Sequence, residues 1–240
     1  MGRPALAGGP MSSAKILLPA PRVATEQEIR DVVVAQPRRG LPELIERALA
    51  ASGALLRGHF GLQVGKHTEY FIRFRALARD PEVLDAIAGH LLATVVVPPD
   101  AVILVPESAG YFLGEAIRAR ADSGATLAVA RTDIERRPAR SLLHGAIPAG
   151  RPVVVVNDVV TTGASLEPLL DLVGDAGATV AAALVFGALD GTGFRAMLNR
   201  RRIAGDHLVE AGPAWAVLEP ERCAACAAGH LPLVPAAELN

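Results

Sequence analysis

The chain contains the stretch Val153-Val154-Val155-Val156-Asn157-Asp158-Val159-Val160-Thr161-Thr162-Gly163-Ala164-Ser165, and this stretch decides the fold. Four consecutive valines are typical of a strand that is buried on both faces of a parallel sheet. Asn157 and Asp158 follow at the carboxyl end of this strand, where open α/β sheets place their ligands. The stretch therefore predicts an α/β fold whose ligand site begins at Asn157.

The turn at residues 161–165 is small and rich in hydroxyl groups, and an apolar helical pattern begins at Leu166. Backbone N–H groups and hydroxyls at the positive end of a helix suit a phosphate group. The carboxylate of Asp158, just upstream, suits the hydroxyls of a ribose. The segment thus fits both parts of a ribose 5-phosphate, whereas the simpler interpretation is a buried strand followed by an ordinary Ser/Thr helix cap.

The same stretch resembles the motif with which type I phosphoribosyltransferases bind 5-phosphoribosyl 1-pyrophosphate (PRPP). Both have four apolar residues, an acidic pair, two apolar residues and then Thr-Thr-Gly-small-Ser. The chain departs once, because the first residue of the acidic pair is Asn157. The resemblance implies a set of PRPP-binding residues, namely Asn157, Asp158, Thr161, Thr162, Gly163, Ala164 and Ser165.

Length and composition limit the class of protein. Of the 240 residues, 51% are hydrophobic and 20% are charged, so a sizeable core can be buried. The formal net charge of −1 argues against a general nucleic-acid-binding surface. The sequence has no apolar run of the roughly 18 to 20 residues that span a bilayer. Two cysteines in a chain of this length fit a reducing, cytoplasmic setting.

The hydrophobic pattern predicts how the chain is divided. Residues 1–24, rich in Gly, Pro, Ala and Ser at their start, are expected to be a mobile leader. Residues 81–204 alternate buried strands with helices, which predicts a PRPP-binding α/β core with a parallel sheet flanked by helices. Residues 25–80 and 205–240 fit this rhythm less well, and we expect them to pack together as a small cap (hood) subdomain.

Individual elements are predicted from the same periodicities. Core strands are expected at 102–105, 126–130, 153–156 and 180–186, and core helices at 81–93, 110–120 and 165–176. The long polar stretch 131–150 has little apolar periodicity, which predicts a loop. Outside the core we expect helices at 26–34 and 42–49 and a hairpin within 59–74 that turns at 64–67.

The resemblance extends to the orotate phosphoribosyltransferases in particular. Residues 58–71, GHFGLQVGKHTEYF, are similar to their N-terminal segment, which is roughly Gly-His-Phe-x-Leu-x-Ser-Gly-x-His-Ser-x-x-Tyr. Residues 105–110, VPESAG, stand where that family has its pyrophosphate-contacting loop. The tail from Cys223 to Leu233 resembles that of some bacterial members. With order and spacing kept, the resemblance covers about residues 40 to 235.

The stretch 131–150 departs from the flexible catalytic loop of that family, whose lysines follow an Arg. Arg131 is present here, but Thr132 and Glu135 stand where the lysines are expected. Three arginines are the alternative source of positive charge, although Arg is a poorer proton donor than Lys; they are Arg136, Arg137 and Arg140. The simpler interpretation of these arginines is a solvated loop.

A second departure concerns the acceptor. After the strand at 180–186 the family tends to have an Asp-Arg pair, whose Arg grips the orotate carboxylate, and in this chain Ala188 stands at the position of that Arg. Without a charged partner, the substrate carboxylate loses roughly 1.5–3 kcal/mol or more. The chain therefore supports PRPP binding better than orotate recognition.

The candidate catalytic residues are Asp158 and Arg131. The candidate contacts to the base or to pyrophosphate are Lys66, Tyr70, Phe71, Ser108 and Arg136. Lys66 is equally well interpreted as a solvated turn residue. Of the two neighbouring aromatics, we expect one to lie in the core and the other to face a base.

Cys223 and Cys226 have the C-x-x-C spacing, and His230 follows them. A structural zinc ion as a rule has four ligands, so a zinc site would need a ligand from elsewhere in the chain. A redox pair lacks the thioredoxin-type βαβ context. The interpretation that the sequence favours is two thiols without a function.

The resemblance implies a PRPP-dependent glycosyltransferase (pentosyltransferase) of pyrimidine biosynthesis, with Mg²⁺ bound mainly through PRPP and orotate as the default acceptor. The resemblance also implies a homodimer, while composition and hydropathy predict a cytoplasmic protein with no nucleic-acid or membrane partner. Two alternatives stay open. One is a phosphoribosyltransferase for another acceptor in specialised, nucleoside-type metabolism, and the other is a non-catalytic protein that senses PRPP or nucleotides.

Overall fold

The computed structural model describes residues 21–35, 43–62, 64–121, 124–133, 137–229, 232–236 and 239. The strands among them are β1 (Arg22–Val23), β2 (Val33–Ala35), β3 (Leu55–Gly61), β4 (His67–Ile72), β5 (Val102–Pro106), β6 (Thr126–Thr132), β7 (Pro138–His144), β8 (Pro152–Val160), β9 (Thr179–Ala188), β10 (Ala204–Ala211), β11 (Val217–Leu218) and β12 (Val234–Pro235). The helices are α1 (Glu26–Val32), α2 (Glu43–Ala51), α3 (Phe74–Leu77), α4 (Pro81–Leu92), α5 (Gly110–Ala121), α6 (Glu167–Asp175), α7 (Gly191–Arg201) and α8 (Ala224–Ala228). Short 3₁₀ turns cover Ala164–Leu166 and Pro220–Arg222.

The larger of two sheets has seven strands in the order β2-β10-β9-β8-β5-β6-β7. The five inner strands run parallel to their neighbours, whereas β2 and β7 are antiparallel edge strands. The predicted α/β class with a parallel sheet flanked by helices is thus confirmed.

Strand β8 lies in the middle of this sheet, between β5 and β9. Val154 and Val156 pack into the hydrophobic cluster on one face of the sheet, and Val153 and Val155 pack into the cluster on the other. All four side chains are fully buried. Helices therefore cover both faces, as the run of valines predicts.

Helix α4 shows how the sequence sets a flanking helix. Asp80 caps its N-terminus by accepting hydrogen bonds from the N–H groups of residues 82 and 83, and Pro81 occupies the first turn. Val83, Ile87 and Leu91 recur every four residues and are buried against the sheet. The predicted helix at 81–93 is therefore confirmed.

The smaller sheet is built from both ends of the described chain. Its main path is β1-β3-β4-β11, and β12 also pairs with β3. The antiparallel pair β3 and β4 confirms the predicted hairpin. A separate hydrophobic cluster of four buried residues supports this sheet; it consists of Leu56, Phe60, Phe71 and Ala236.

Four strands lie where the sequence predicted something else. Residues 138–144 of the predicted loop form β7, because an edge strand tolerates Pro138 and needs no strict alternation. Strand β1 falls within the predicted leader, of which residues 1–20 lie outside the described residues. Strands β2 and β10 pair in the larger sheet, although nearly all of their residues belong to the ranges predicted for the cap. The division into leader, cap and core stays a prediction.

Within the described residues, every helix is too short or too polar to cross a membrane.

Candidate active site

A cavity of about 300 Å³ opens at the carboxyl ends of β5 and β8. The end of β8 and the turn after it form one wall, and the loop after β5 forms the next. The hairpin β3–β4 and Arg75 on α3 also contribute to the lining, as do two residues of the C-terminal segment, Trp215 and Ala236. The remaining lining residues are Arg137, Pro138, Pro168 and Leu189. This is the position at which α/β sheets hold ligands.

The turn after β8 is shaped by Gly163, whose φ is +84°. A Cβ atom at this position would lie 2.7 Å from Met197 Cε and 2.9 Å from Phe194 Cδ2, so the turn accepts only glycine. Within the described residues, Leu166 is the first residue of the turn whose N–H donates a hydrogen bond to another residue of the turn. Its acceptor is Gly163 O, at 2.9 Å. Thr161, Thr162, Ala164 and Ser165 line the cavity at this end of the helix, where the first N–H groups of a helix have no partner within the helix.

Asp158 lies at the cavity floor and is 8% exposed. Loss of solvent on burial raises the pKa of its carboxyl group to about 6. Backbone N–H groups and the positive charge of Arg75 act in the opposite direction on this pKa. Burial thus disfavours the ionised form of this carboxyl group, and a cationic or hydroxyl-bearing ligand would stabilise that form.

The side chain of Asn157 forms hydrogen bonds within the protein. Its Oδ1 accepts a 2.9 Å hydrogen bond from the N–H of Asp158 and a 3.4 Å hydrogen bond from Ser108 Oγ. The start of α5 presses on this amide, because a Cβ atom on Gly110 would lie 2.7 Å from Asn157 Oδ1. The amide therefore fixes the strand end against the loop after β5.

Ser108 and Arg75 bring further polar groups to the cavity. Ser108 Oγ accepts a 3.2 Å hydrogen bond from the N–H of Gly110, which holds the loop in place. Arg75 lines the cavity and forms no ion pair within the described part of the chain. The sequence analysis missed Arg75, because no motif marks it and its approach to Asp158 spans 83 positions of the chain, from 75 to 158.

Of the three candidate base contacts in the hairpin, one lines the cavity and two do not. Phe71 lines the cavity, whereas Tyr70 packs on Trp215 with ring centroids 5.8 Å apart and on the guanidinium of Arg57. Lys66 Nζ lies 3.2 Å from Glu219 Oε1, outside the cavity lining. Of the two aromatics, Phe71 therefore reaches the cavity and Tyr70 does not, and a contact from Phe71 to a base stays a prediction.

The described arginines of the stretch 131–150 also differ in whether they reach the cavity. Arg137, immediately before β7, lines the cavity and pairs at 3.0 Å with Asp133, which follows β6. Arg140 pairs with Asp175 on α6, and Arg131 is exposed on β6 outside the lining. Arg136 lies outside the described residues.

The residue after β9 that reaches the cavity is not the one expected from sequence to stand at the position of the carboxylate-binding arginine. Ala188, the last residue of β9, is fully buried in the hydrophobic cluster on one face of the sheet, and it is Leu189 that lines the cavity. Arg195 lies 2.6 Å from Glu210 Oε1, outside the cavity lining. An arginine that gripped a substrate here would therefore stand at position 189, one residue after the position expected from sequence.

No protein-family model matches the chain. Over 141 residues the chain is 33% identical to the orotate phosphoribosyltransferase of Halobacterium salinarum, a match that covers 58% of this chain and 77% of that protein. Over 133 residues it is 32% identical to the orotate phosphoribosyltransferase of Chlorobaculum parvum, covering 55% of this chain and 66% of that protein. The chain thus spans just under two thirds of the length of the latter relative.

Among solved structures, the chain is similar to the orotate phosphoribosyltransferase of Aeropyrum pernix, with a TM-score of 0.53 and 27% identity. This likeness covers 69% of this chain and 92% of that chain.

Proposed function

We propose a function from one premise: the chain belongs to the type I phosphoribosyltransferases, as a divergent member most similar to the orotate phosphoribosyltransferases. On that premise, the protein transfers the ribose 5-phosphate of PRPP to a base or a small aromatic acceptor and releases pyrophosphate. One observation carries the proposal. Asp158 and four residues of the turn that follows β8, Thr161, Thr162, Ala164 and Ser165, line the same cavity, so a ribose and its 5-phosphate could be bound side by side.

The turn is the proposed site of the 5-phosphate. Its N–H groups lie at the start of a 3₁₀ turn that continues into α6, where the helix dipole favours an anion. Hydroxyls of Thr161, Thr162 and Ser165 add donors from the same wall. Gly163 permits the sharp bend, and Ala164 leaves space for the phosphate oxygens.

Asp158 is the proposed ribose contact. A buried carboxylate that accepts hydrogen bonds from two ribose hydroxyls gains charge-assisted contacts that the empty cavity does not offer it. Magnesium fits the same wall, because carboxylate, phosphate and ribose oxygens are the hard ligands that it prefers. Bound mainly through PRPP, Mg²⁺ would neutralise part of the charge on the leaving pyrophosphate.

Pyrophosphate is proposed to lie between the loop after β5 and the cations at the cavity mouth. Ser108 supplies a hydroxyl, and Arg75 and Arg137 supply positive charge. The stretch 131–150, which includes Arg137, is the segment proposed to close over the substrate and exclude water. Arg131, at the start of that stretch, is retained as a candidate catalytic residue that acts once the stretch closes.

The reaction exchanges one bond at the anomeric carbon for another. The bond from that carbon to the pyrophosphate oxygen breaks, and its electron pair leaves with pyrophosphate. A lone pair of the acceptor forms the new bond, and the acceptor loses a proton if it carries one. Positive charge develops on the ribose ring, so the protein accelerates the reaction chiefly by positioning and by electrostatic stabilisation.

The acceptor side of the cavity is mainly apolar, with Leu62, Phe71, Leu189 and Trp215 in its lining. A planar ring packs well between such side chains. A substrate carboxylate, in contrast, would meet Leu189 where a cation is needed, and it would lose its charge-assisted partner. We therefore favour an aromatic acceptor without a carboxylate at that position over orotate.

A homodimer is proposed from an exposed aromatic surface beside the site. Tyr111 and Phe112 are 40% and 37% exposed, and Leu143 on β7 is 42% exposed. All three line a groove that adjoins the active-site cavity through Arg75 and Ser108. A second copy of the chain would bury this surface, and Phe112→Asp should then give a monomer in light scattering while the wild type is a dimer.

Turnover of PRPP with a panel of acceptors tests the function. Purified protein with Mg²⁺ and PRPP receives uracil, orotate, adenine, nicotinate and simple aromatic acids in turn, and pyrophosphate release is followed. We expect acceptor-dependent release with at least one acceptor and none with Asp158→Ala. PRPP binding without release for any acceptor would instead favour the alternative of a non-catalytic PRPP sensor, which the replacement of an acidic residue by Asn157 makes worth testing.

A further inference from the structure

Four side chains that do not line the cavity lie close together, two on strands of the smaller sheet and two at α8. We name them the His-Cys cluster; it consists of His59, His67, Cys223 and Cys226. One donor atom of each residue lies within 4.8 Å of the donor atoms of the other three. Three of the residues are buried, and Cys226 is exposed at the edge.

The contacts within the cluster are short. His59 Nε2 lies 3.2 Å from His67 Nδ1, and His67 Nδ1 lies 3.1 Å from Cys226 Sγ. His59 Nε2 also lies 3.4 Å from Cys223 Sγ and 3.5 Å from Cys226 Sγ. Thus four of the six distances between the donor atoms are between 3.1 and 3.5 Å.

Hydrogen bonding alone does not account for this arrangement. An imidazole nitrogen has either one proton or one lone pair in the ring plane, so it makes one directed hydrogen bond. His59 Nε2, however, has three heteroatoms within 3.5 Å. Nitrogen and sulfur donors that converge in this way are typical of ligands around one central cation.

The distances match a tetrahedral zinc site. With Zn–N of about 2.0–2.1 Å and Zn–S of about 2.3 Å, a tetrahedron has edges of about 3.3 Å between nitrogens and about 3.6 Å from nitrogen to sulfur. The observed edges agree with these values to within about half an ångström. We propose that the His-Cys cluster binds a structural Zn²⁺ ion through His59, His67, Cys223 and Cys226.

The chemistry of the donors selects the ion. Two thiolates and two imidazoles are the Cys₂His₂ set of structural zinc sites, and they offer no oxygen ligand to Mg²⁺. All four positions are filled by protein, which leaves no open position for a substrate. This zinc site is therefore distinct from the magnesium proposed with PRPP.

The site stabilises a part of the chain that has little core of its own. Helix α8 has five residues and buries none of them, and the 3₁₀ turn before it buries none either. Such a short helix is unstable unless it is tied to the rest of the protein. The zinc ion ties it to β3 through His59 and to β4 through His67, across more than 150 residues of sequence.

This tie has a consequence for the active site. The C-terminal segment provides Trp215 before the His-Cys cluster and Ala236 after it, and both residues line the cavity. Strand β12, which immediately precedes Ala236, pairs with β3 next to His59. The zinc ion therefore holds both cavity contributions of this segment in place.

Metal analysis of the full chain tests the proposal. Protein purified under reducing conditions is dialysed, and its zinc is measured by plasma mass spectrometry in the absence of PRPP and Mg²⁺. We expect about one zinc ion per chain. Replacement by Co²⁺ should give the intense visible absorption and thiolate charge-transfer bands of a tetrahedral site. These readouts do not depend on phosphoribosyl transfer, so they can fail or succeed independently of it.

Variants assign the ligands. Cys226→Ser changes an exposed residue and should lower zinc affinity by more than about a hundredfold, because even outer partners of zinc ligands contribute 10- to 100-fold. Cys226→His should retain zinc and shift the Co²⁺ spectrum, which decides the matter if the serine variant fails to fold. His90→Asn, on α4, is the matched control and should bind zinc normally.

Three results would overturn the proposal. One is wild-type protein that binds no zinc after reconstitution. Another is zinc binding that is unchanged in Cys226→Ser and in His67→Asn. The third is a Cys223–Cys226 disulfide in protein kept under reducing conditions.

Discussion

Asn157 Oδ1 accepts a 2.9 Å hydrogen bond from the backbone N–H of Asp158, its neighbour on β8. The same oxygen lies 3.4 Å from Ser108 Oγ. The amide therefore joins the strand end to the loop after β5 and keeps the Asp158 carboxylate at the cavity floor. A carboxylate at position 157 could accept the same two hydrogen bonds. Either Asn or an acidic residue can therefore occupy this position.

Asn157→Asp should tighten the binding of Mg²⁺-PRPP a few-fold, because it adds negative charge near the cation without removing an acceptor. It should also make the free protein less stable at pH 8, since two neighbouring carboxylates would be buried. Calorimetry with Mg²⁺-PRPP and thermal unfolding measure the two effects. A large loss of PRPP affinity would mean that the amide N–H₂ group is used, and our assignment of this wall to ribose would need to be replaced.

Asp158→Asn should stabilise the free protein in a pH-dependent way. Burial raises the pKa of this carboxyl from 3.8 to about 6, so the folded state prefers the neutral acid. Its contribution to stability is complete below about pH 4 and is lost as the pH rises through 6. At 1.36 kcal/mol per pH unit, the wild type loses up to about 3 kcal/mol at pH 8.

The neutral amide avoids that loss, so the free energy of unfolding should be higher in Asp158→Asn than in the wild type at pH 8. The two proteins should be equally stable at pH 4. Urea unfolding at both pH values provides the measurement. Equal stability at pH 8 would show that the carboxylate is well solvated or paired in the free protein.

Arg75→Met should weaken PRPP binding by about tenfold, or 1.4 kcal/mol, because the exposed cation loses part of its effect to solvent screening. The pKa of Asp158 should rise further, since the charge of Arg75 lowers it in the wild type. Arg79→Met is the matched control, because Arg79 is exposed on the same segment and does not line the cavity. If both variants lose the same affinity, general charge is responsible and Arg75 makes no specific contact.

Orotate should be a poor acceptor, with kcat/KM at least a hundredfold below the roughly 10⁴ M⁻¹s⁻¹ at which ordinary enzymes begin. Leu189→Arg should improve it in part, since position 189 lines the cavity. Ala188→Arg should instead destabilise the fold, because that side chain is fully buried. A steady-state assay with saturating Mg²⁺-PRPP measures this, and an ordinary kcat/KM for the wild type would refute the inference drawn from the missing arginine.

The sequence was informative where local pattern and structure coincide. The four valines of β8 predict a buried strand, and the small, hydroxyl-rich residues 161–165 predict the turn that follows it. Arg75 could not be found in this way, because its partner is distant in sequence. The C-x-x-C spacing marks Cys223 and Cys226, but no local pattern links them to His59 and His67, which lie more than 150 residues earlier in the chain. His67 and Cys226 meet only because β11 and β12 return to the hairpin β3–β4. Strand β7 was missed because an edge strand can contain Pro138 and polar residues.

The central claim is that Asp158 and the turn after β8 bind PRPP. Titration calorimetry of the wild type and of Asp158→Ala with Mg²⁺-PRPP tests it most directly. We expect binding to the wild type and an affinity at least about tenfold lower in the variant, equivalent to about 1.4 kcal/mol. Equal affinity in the two proteins, or no binding of PRPP to the wild type, would contradict it.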